Sequence, residues 1–232
     1  MRDTGRVERK LNRREALVLA GGVGAAALVP GCSDDEAPAT TAAAASSTAT
    51  ADCVLMPELT EGPYYLDLNE VRSDIAETRP GLPFDLTVRV VDASSCEPVK
   101  DAAVDVWHCD AGGAYSGVGS ETGETFLRGT QVTDAGGAVL FRTIFPGWYS
   151  GRAVHIHLKV HVGTDETHTG QLFFADDVLA KAYESEPYAD RGDPDTPNAA
   201  DQIYGQSNGT TIVSVTPGET YTGAVTLGVQ RA

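Results

Sequence analysis

The sequence is short of positive charge. Its 232 residues hold 17 Lys and Arg against 33 Asp and Glu, a formal net charge of −16 at pH 7. Such a surface repels polyanions, which excludes nucleic acid and anionic membrane surfaces as partners of the folded part. Long apolar runs are also missing. The run Ala16–Pro30 has 15 residues, whereas a helix that spans a bilayer needs about 20. After Asp52 there is no internal repeat and no second linker. Cysteine is scarce, with four in the chain.

What stands at the N-terminus reads as an address rather than a fold. Met1–Asn12 is polar and partly basic, Arg13-Arg14 follows, and then comes the apolar run. This is the layout of an export signal, and the paired arginines point to the twin-arginine route. "LVPGC" closes the run at Cys32 and resembles a lipobox, whose cysteine takes the lipid. "SDDEAPATTAAAASSTATA" then lacks the composition to bury a core. The expected layout is a signal over residues 1–31, a tether over 32–51 and a domain over 52–232. The domain is expected to be exported and held to the membrane on its extracytoplasmic side by lipidated Cys32. Loss of residues 1–31 leaves 11 basic and 30 acidic residues. In that compartment a disulfide is allowed. Cys53 and Cys96, both in loop-like sequence, are the expected pair, although spacing alone does not fix the pairing. Cys109 reads as a small buried thiol.

Strand signals dominate the domain. Residues 84–91, 103–109, 138–144 and 154–162 alternate apolar and polar side chains. "QLFF", "TIVSV" and "YTGAVTLGV" complete the set, with turn residues between them. The pattern predicts an all-β fold, an antiparallel β-sandwich of immunoglobulin or transthyretin type with long loops. One short helix is expected at Val178–Tyr183, capped by Asp176 or Asp177.

The chemistry starts at "HIH". On a strand, His155 and His157 point the same way, roughly 6–7 Å apart at the backbone, so both imidazoles can reach one metal ion. His161 shares that face about 13 Å from His157 and reads as a surface residue. His168, in "GTDETHTG", reads as an ordinary loop histidine. His108 is held as a candidate behind the metal ligands. By itself "HIH" is equally an exposed polar strand face, which leaves open a non-enzymatic cell-surface binding module. Zinc would want Cys, more His or a carboxylate at suitable spacing, and none stands there. Tyrosines do. Tyr149 ends a Pro-Gly turn and Tyr115 follows a glycine turn. Phenolate is a hard anion suited to Fe(III).

Taken together, "VWHCDAGGAYSG", "FRTIFPGWY" and "RAVHIH" resemble the intradiol ring-cleavage dioxygenases, the family of protocatechuate and catechol dioxygenases. "TEGPYYLD" (Thr60–Asp67) and "GQLFF" (Gly170–Phe174) add to the resemblance, which runs from about Cys53 to Asp201. It implies a β-sandwich core and a non-haem Fe(III) held by Tyr115, Tyr149, His155 and His157. Tyr149 and His157 would be axial, and Tyr149 would be displaced by substrate. It implies that Arg152 stabilises charge on the substrate, that Gln171 lies beside it, and that Pro63 and Tyr64 or Tyr65 line its pocket. The implied reaction joins a catechol and O2 to give a cis,cis-muconic acid. Two departures stand out. Only five residues separate Tyr149 from His155, a short loop that should open the pocket. No pair of arginines is placed to bind a carboxylate, so protocatechuate is not favoured over plain or substituted catechols. Asp190–Gly205 reads as a solvated, Pro-fixed loop.

Overall fold

The structure, a computed structural model, describes residues 53–230. The expected signal, the anchor Cys32 and the tether over 32–51 lie outside the described residues. Among the described residues eight strands form two four-stranded sheets. They are β1 (Pro83–Asp92), β2 (Ala103–Trp107), β3 (Arg128–Val132), β4 (Ala138–Ile144), β5 (His155–Val162), β6 (Asp165–Phe173), β7 (Ser214–Thr216) and β8 (Tyr221–Val229). One sheet runs β4-β1-β8-β7 and the other β3-β2-β5-β6. The alternation explains the sandwich. Phe84, Leu86, Val88 and Val90 of β1 face Val104 and Val106 of β2 and Ile156, Leu158 and Val160 of β5 in one core. Burying these faces is the main favourable term in folding.

The structure corrects several expectations. The sandwich is not wholly antiparallel, because β1 and β8 pair in parallel, from Phe84 opposite Tyr221 to Asp92 opposite Val229. No hairpin joins these strands, so nothing local fixes their direction. The edge strand β3 was not foreseen. Its "RGTQV" carries little apolar signal, and Gly129 is covered by Ile75, whose Cγ2 would lie 2.6 Å from an added Cβ. In the "TIVSV" stretch the strand starts only at Ser214. A first helix, α1 (Asp176–Ala182), starts two residues before the expected one. Ala175 is its N-cap, and Asp176 and Asp177 sit in the first turn, where carboxylates favour the helix dipole. A second helix, α2 (Gln202–Gln206), is capped by Asp201, which accepts from the amides of Ile203 and Tyr204.

Cys53 is joined to Cys96 by a disulfide, Cα to Cα 5.3 Å. Cys109 is free and buried; burial pushes its thiol up to about 12.

The outer face of the β3-β2-β5-β6 sheet is polar but not exposed. Residues 58–72 cross it as a strap, tied at Leu59 N to Thr169 O (3.0 Å) and at Arg72 N to Thr130 O (3.0 Å). Residues 155–160 of β5 are therefore buried on both faces.

Candidate metal centre

β5 begins at His155, and its alternation sends His155, His157, Lys159 and His161 to the face opposite the core. His155 Nδ1 lies 2.6 Å from the Ala153 carbonyl. A carbonyl only accepts, so Nδ1 carries the proton and Nε2 presents a bare lone pair. That lone pair points into a crowded spot. Tyr149 Oη is 3.1 Å away and His157 Nε2 is 3.0 Å away. The His157 ring is stacked on Trp107, 5.0 Å between centroids and 7° from parallel. Gly62 presses on its edge, so that an added Cβ would stand 3.2 Å from Cε1. His157 Nδ1 and Tyr115 Oη are buried without hydrogen-bond partners. The Tyr115 ring lies 5.7 Å from that of Tyr149 and 6.1 Å from that of His157.

The protonation states suit a metal. Burial pushes His155 down to about 3, helped by the Arg152 charge. Burial, then His155 and Arg152, hold His157 well below the usual imidazole range. Both are neutral at neutral pH, which is the ligating form. Burial raises Tyr115 well above the usual phenol range and also raises Tyr149, with the Arg152 charge opposing in both. Only a strong local cation would make both phenols ionise here. Two imidazole nitrogens and two phenol oxygens, converging without partners enough to satisfy them, fit a hard ferric ion. Thiol is absent from the set, since Cys109 Sγ donates to Gly147 O at 3.3 Å. Among the described residues no three His, Cys, Asp or Glu side chains gather at one point, so a centre here depends on its tyrosines.

Arg152 stands beside these donors. Its Nε donates to Asp201 Oδ2 (2.8 Å) and its Nη2 to Gln171 Oε1 (2.6 Å). Gln171, fully buried, donates in turn to Thr60 O at 2.7 Å. Asp201 was expected in a solvated loop, yet its side chain is 1% exposed. Burial opposes its charge, but the amides of Ala153 and Tyr204 and the Arg152 guanidinium hold its carboxyl below the usual range. It thus grips both Arg152 and the backbone N–H of Ala153, the residue whose carbonyl orients His155. Sequence reasoning missed it. The available signal was an Asp directly before "QIY", an N-cap pattern.

Three other histidines are placed differently from their reading. His161 Nε2 meets Asp105 Oδ2 at 3.2 Å. His168 lies in β6 at 2% exposure, paired with Glu58 at 3.0 Å. His108 bonds to Cys109 O and Thr143 Oγ1, both at 2.8 Å, and to none of the four donors. The Tyr64 ring packs 4.7 Å from that of Tyr115. Tyr65 points elsewhere, donating to Asp105 Oδ2 at 3.2 Å. Pro63 is exposed in a turn and is not part of the cleft wall. That cleft, about 250 Å³, opens over Tyr115 and Tyr149 and is walled by Tyr64, Val118 and Glu121, with no Lys, Arg or His among its described lining residues. Glu121 is paired with Arg79.

A family model for dioxygenases matches residues 60–183. An intradiol ring-cleavage dioxygenase from Tetranychus urticae superposes with a TM-score of 0.73 at 34% identity, covering 77% of this chain and 95% of the other. The dioxygenase domain of a carbohydrate-binding fusion protein from Streptomyces sp. SirexAA-E superposes at 0.60 with 27% identity, covering 77% and 100%. A chlorocatechol 1,2-dioxygenase from Pseudomonas putida is 28% identical over 139 residues, 49% of this chain and 52% of that protein. The chain thus spans about half the length of the curated relatives it matches. All four donors, Arg152 and Gln171 fall inside the matched segment, and the chain belongs to the intradiol ring-cleavage dioxygenase family.

Proposed function

We propose that the domain cleaves catechols between their two hydroxyl-bearing carbons, using a non-haem Fe(III) and O2, to give cis,cis-muconic acids. One observation carries this reading: His155 Nε2 faces His157 Nε2 at 3.0 Å and Tyr149 Oη at 3.1 Å, and the ring of Tyr115, whose hydroxyl has no partner, packs against those of Tyr149 and His157 beneath an open cleft. The reaction balances without an external reductant. One ring C–C bond breaks and each of its carbons gains one oxygen atom from O2. Ferric iron, when bound, supplies the electron withdrawal that lets a catechol ring react with O2. The chain does the rest. His155 is locked by Ala153 as a neutral donor. Both phenols line the cleft, but Tyr149 is only half-buried whereas Tyr115 is 5% exposed. Tyr149, which a bound ferric ion would hold as phenolate, is therefore the side chain placed to take up a catechol proton. Arg152, fixed by Asp201 and Gln171, stabilises negative charge that grows on the substrate. A cleft wall without a cation suits neutral catechols better than carboxylated ones such as protocatechuate.

The test is direct. The purified domain should carry about one iron per chain, show a red-brown tyrosinate band, and take up O2 with catechol while muconic acid forms. A colourless, iron-free protein that leaves catechol untouched would instead be a surface binding module. We also propose export and anchoring through Cys32, a reading supported by the Cys53–Cys96 disulfide. Cys32→Ala should move the protein to the soluble fraction, and a variant that stays membrane-bound would sink the anchor.

A further inference from the structure

The proposed chemistry does not use Lys159, yet the protein buries it. It follows His157 by two residues on the same face of β5, and its side chain is 7% exposed. Its Nζ meets Glu61 Oε2 at 2.6 Å and lies 4.3 Å from the Tyr65 ring centroid. On the neighbouring β2, Asp105 is buried as well. It accepts from Tyr65 Oη (3.2 Å), Thr130 Oγ1 (2.6 Å) and His161 Nε2 (3.2 Å). Buried charges persist only when paired and hydrogen-bonded. Both of these find a partner on one stretch of the strap, where Glu61 and Tyr65 bracket Gly62-Pro63-Tyr64.

Two further ties hold this stretch. Gln171 donates to Thr60 O at 2.7 Å and Arg128 donates to Tyr64 O at 2.7 Å. What lies between the ties touches the metal donors. Gly62, at φ +70°, abuts His157 Cε1 so closely that a Cβ would stand 3.2 Å away. Tyr64 packs 4.7 Å from Tyr115. The strap therefore backs one imidazole and one phenol of the centre.

We propose that Lys159 and Asp105 are positioning residues for the metal centre. They pin the Glu61–Tyr65 strap so that Gly62 sets the His157 ring and Tyr64 sets the Tyr115 ring. An apolar pair could fill the same space, but a Lys–Glu link and a Tyr–Asp bond fix the register of the strap as well. The inference rests on the metal reading above and adds to it the residues that hold the donors still.

The experiment compares Lys159→Met, which keeps most of the unbranched stem and removes the charge, with Lys159→Arg and with Glu61→Gln. Three quantities are read on iron-loaded protein: the thermal midpoint, the visible tyrosinate band, and the rate of iron release to a chelator. Lys159→Met should shift the band and speed iron release by about 10-fold or more, the usual scale for residues that orient a metal ligand. Lys159→Arg should restore most of both, and Glu61→Gln should move both in the same direction by less. A purely structural Lys159 would lower the midpoint and leave band and release rate unchanged, and that result overturns the proposal. Should Lys159→Met fail to fold, Glu61→Gln decides, because the Glu61 side chain is 43% exposed and tolerates change. A wild type without iron sinks the metal reading and this inference together. A coloured wild type with indifferent variants sinks this inference alone.

Discussion

Four polar side chains stand in a row on the outer face of β5, and the row divides in two. Lys159 and His161 each meet a carboxylate, Glu61 and Asp105. His155 and His157 meet no acid. Their Nε2 atoms face each other at 3.0 Å, with a phenol hydroxyl at 3.1 Å from His155, while His157 Nδ1 has no partner. One strand, one face and similar burial thus give two outcomes. Where the buried groups are satisfied, they hold the strap in place. Where they are left short, they are ready for a ligand from outside the chain.

The comparison is broken most severely by removing a donor. His155→Ala or Tyr115→Phe should lose iron, bleach the visible band and reduce turnover to background, as measured by metal content and O2 uptake. Next is a change on the other face of the same strand. Ile156 is fully buried in the core. Ile156→Ala should cost about 3 kcal/mol in denaturant unfolding, with the band of the folded protein unchanged.

Arg152→Ala should keep iron and colour and still bind catechol with a spectral shift, but lower kcat about 100-fold. Arg152→Lys should recover only part, since a point charge cannot reproduce a fork that spans Asp201 and Gln171. A near-normal kcat in the alanine variant would remove Arg152 from the mechanism.

The smallest effect concerns a satisfied histidine away from β5. Burial lowers His108 to about 4, with the Arg128 charge adding to it. The folded state keeps it neutral while the unfolded state takes a proton below about 6.5. Stability is therefore lost as pH falls from about 6.5 toward 4. By pH 5 the loss should be about 2 kcal/mol. His108→Gln should flatten the slope of unfolding free energy against pH by that amount, and an unchanged slope would show that His108 titrates alike in both states.

Much of this arrangement could be read in the chain. The alternation of "HIHLKVHV" told which four side chains share a face, and the order of the short motifs placed two tyrosines beside two of them. Alternation could not tell whether that face was open or covered. His161 and His168 read as bland because their partners, Asp105 and Glu58, lie far away in sequence. Asp201 was hidden for the same reason, among acids and prolines that look solvated. β3 was lost because Gly129 buries backbone against Ile75 rather than showing an apolar side chain. The parallel pairing of β1 and β8 joins the first and last strands of the domain, a contact that no local pattern encodes.

The disulfide has a mechanical consequence. β1 ends and β2 begins at the pole opposite the donors, since Ala103 pairs with His161 while Trp107 pairs with His157. Cys96 lies in the loop between those two strands, and Cys53 is bolted to it there. Tension arriving through the segment before Cys53 is passed to that loop and on into the sandwich. The strap beyond it, and the two rings it backs, are spared the load, as a clamp on a cable spares the connector.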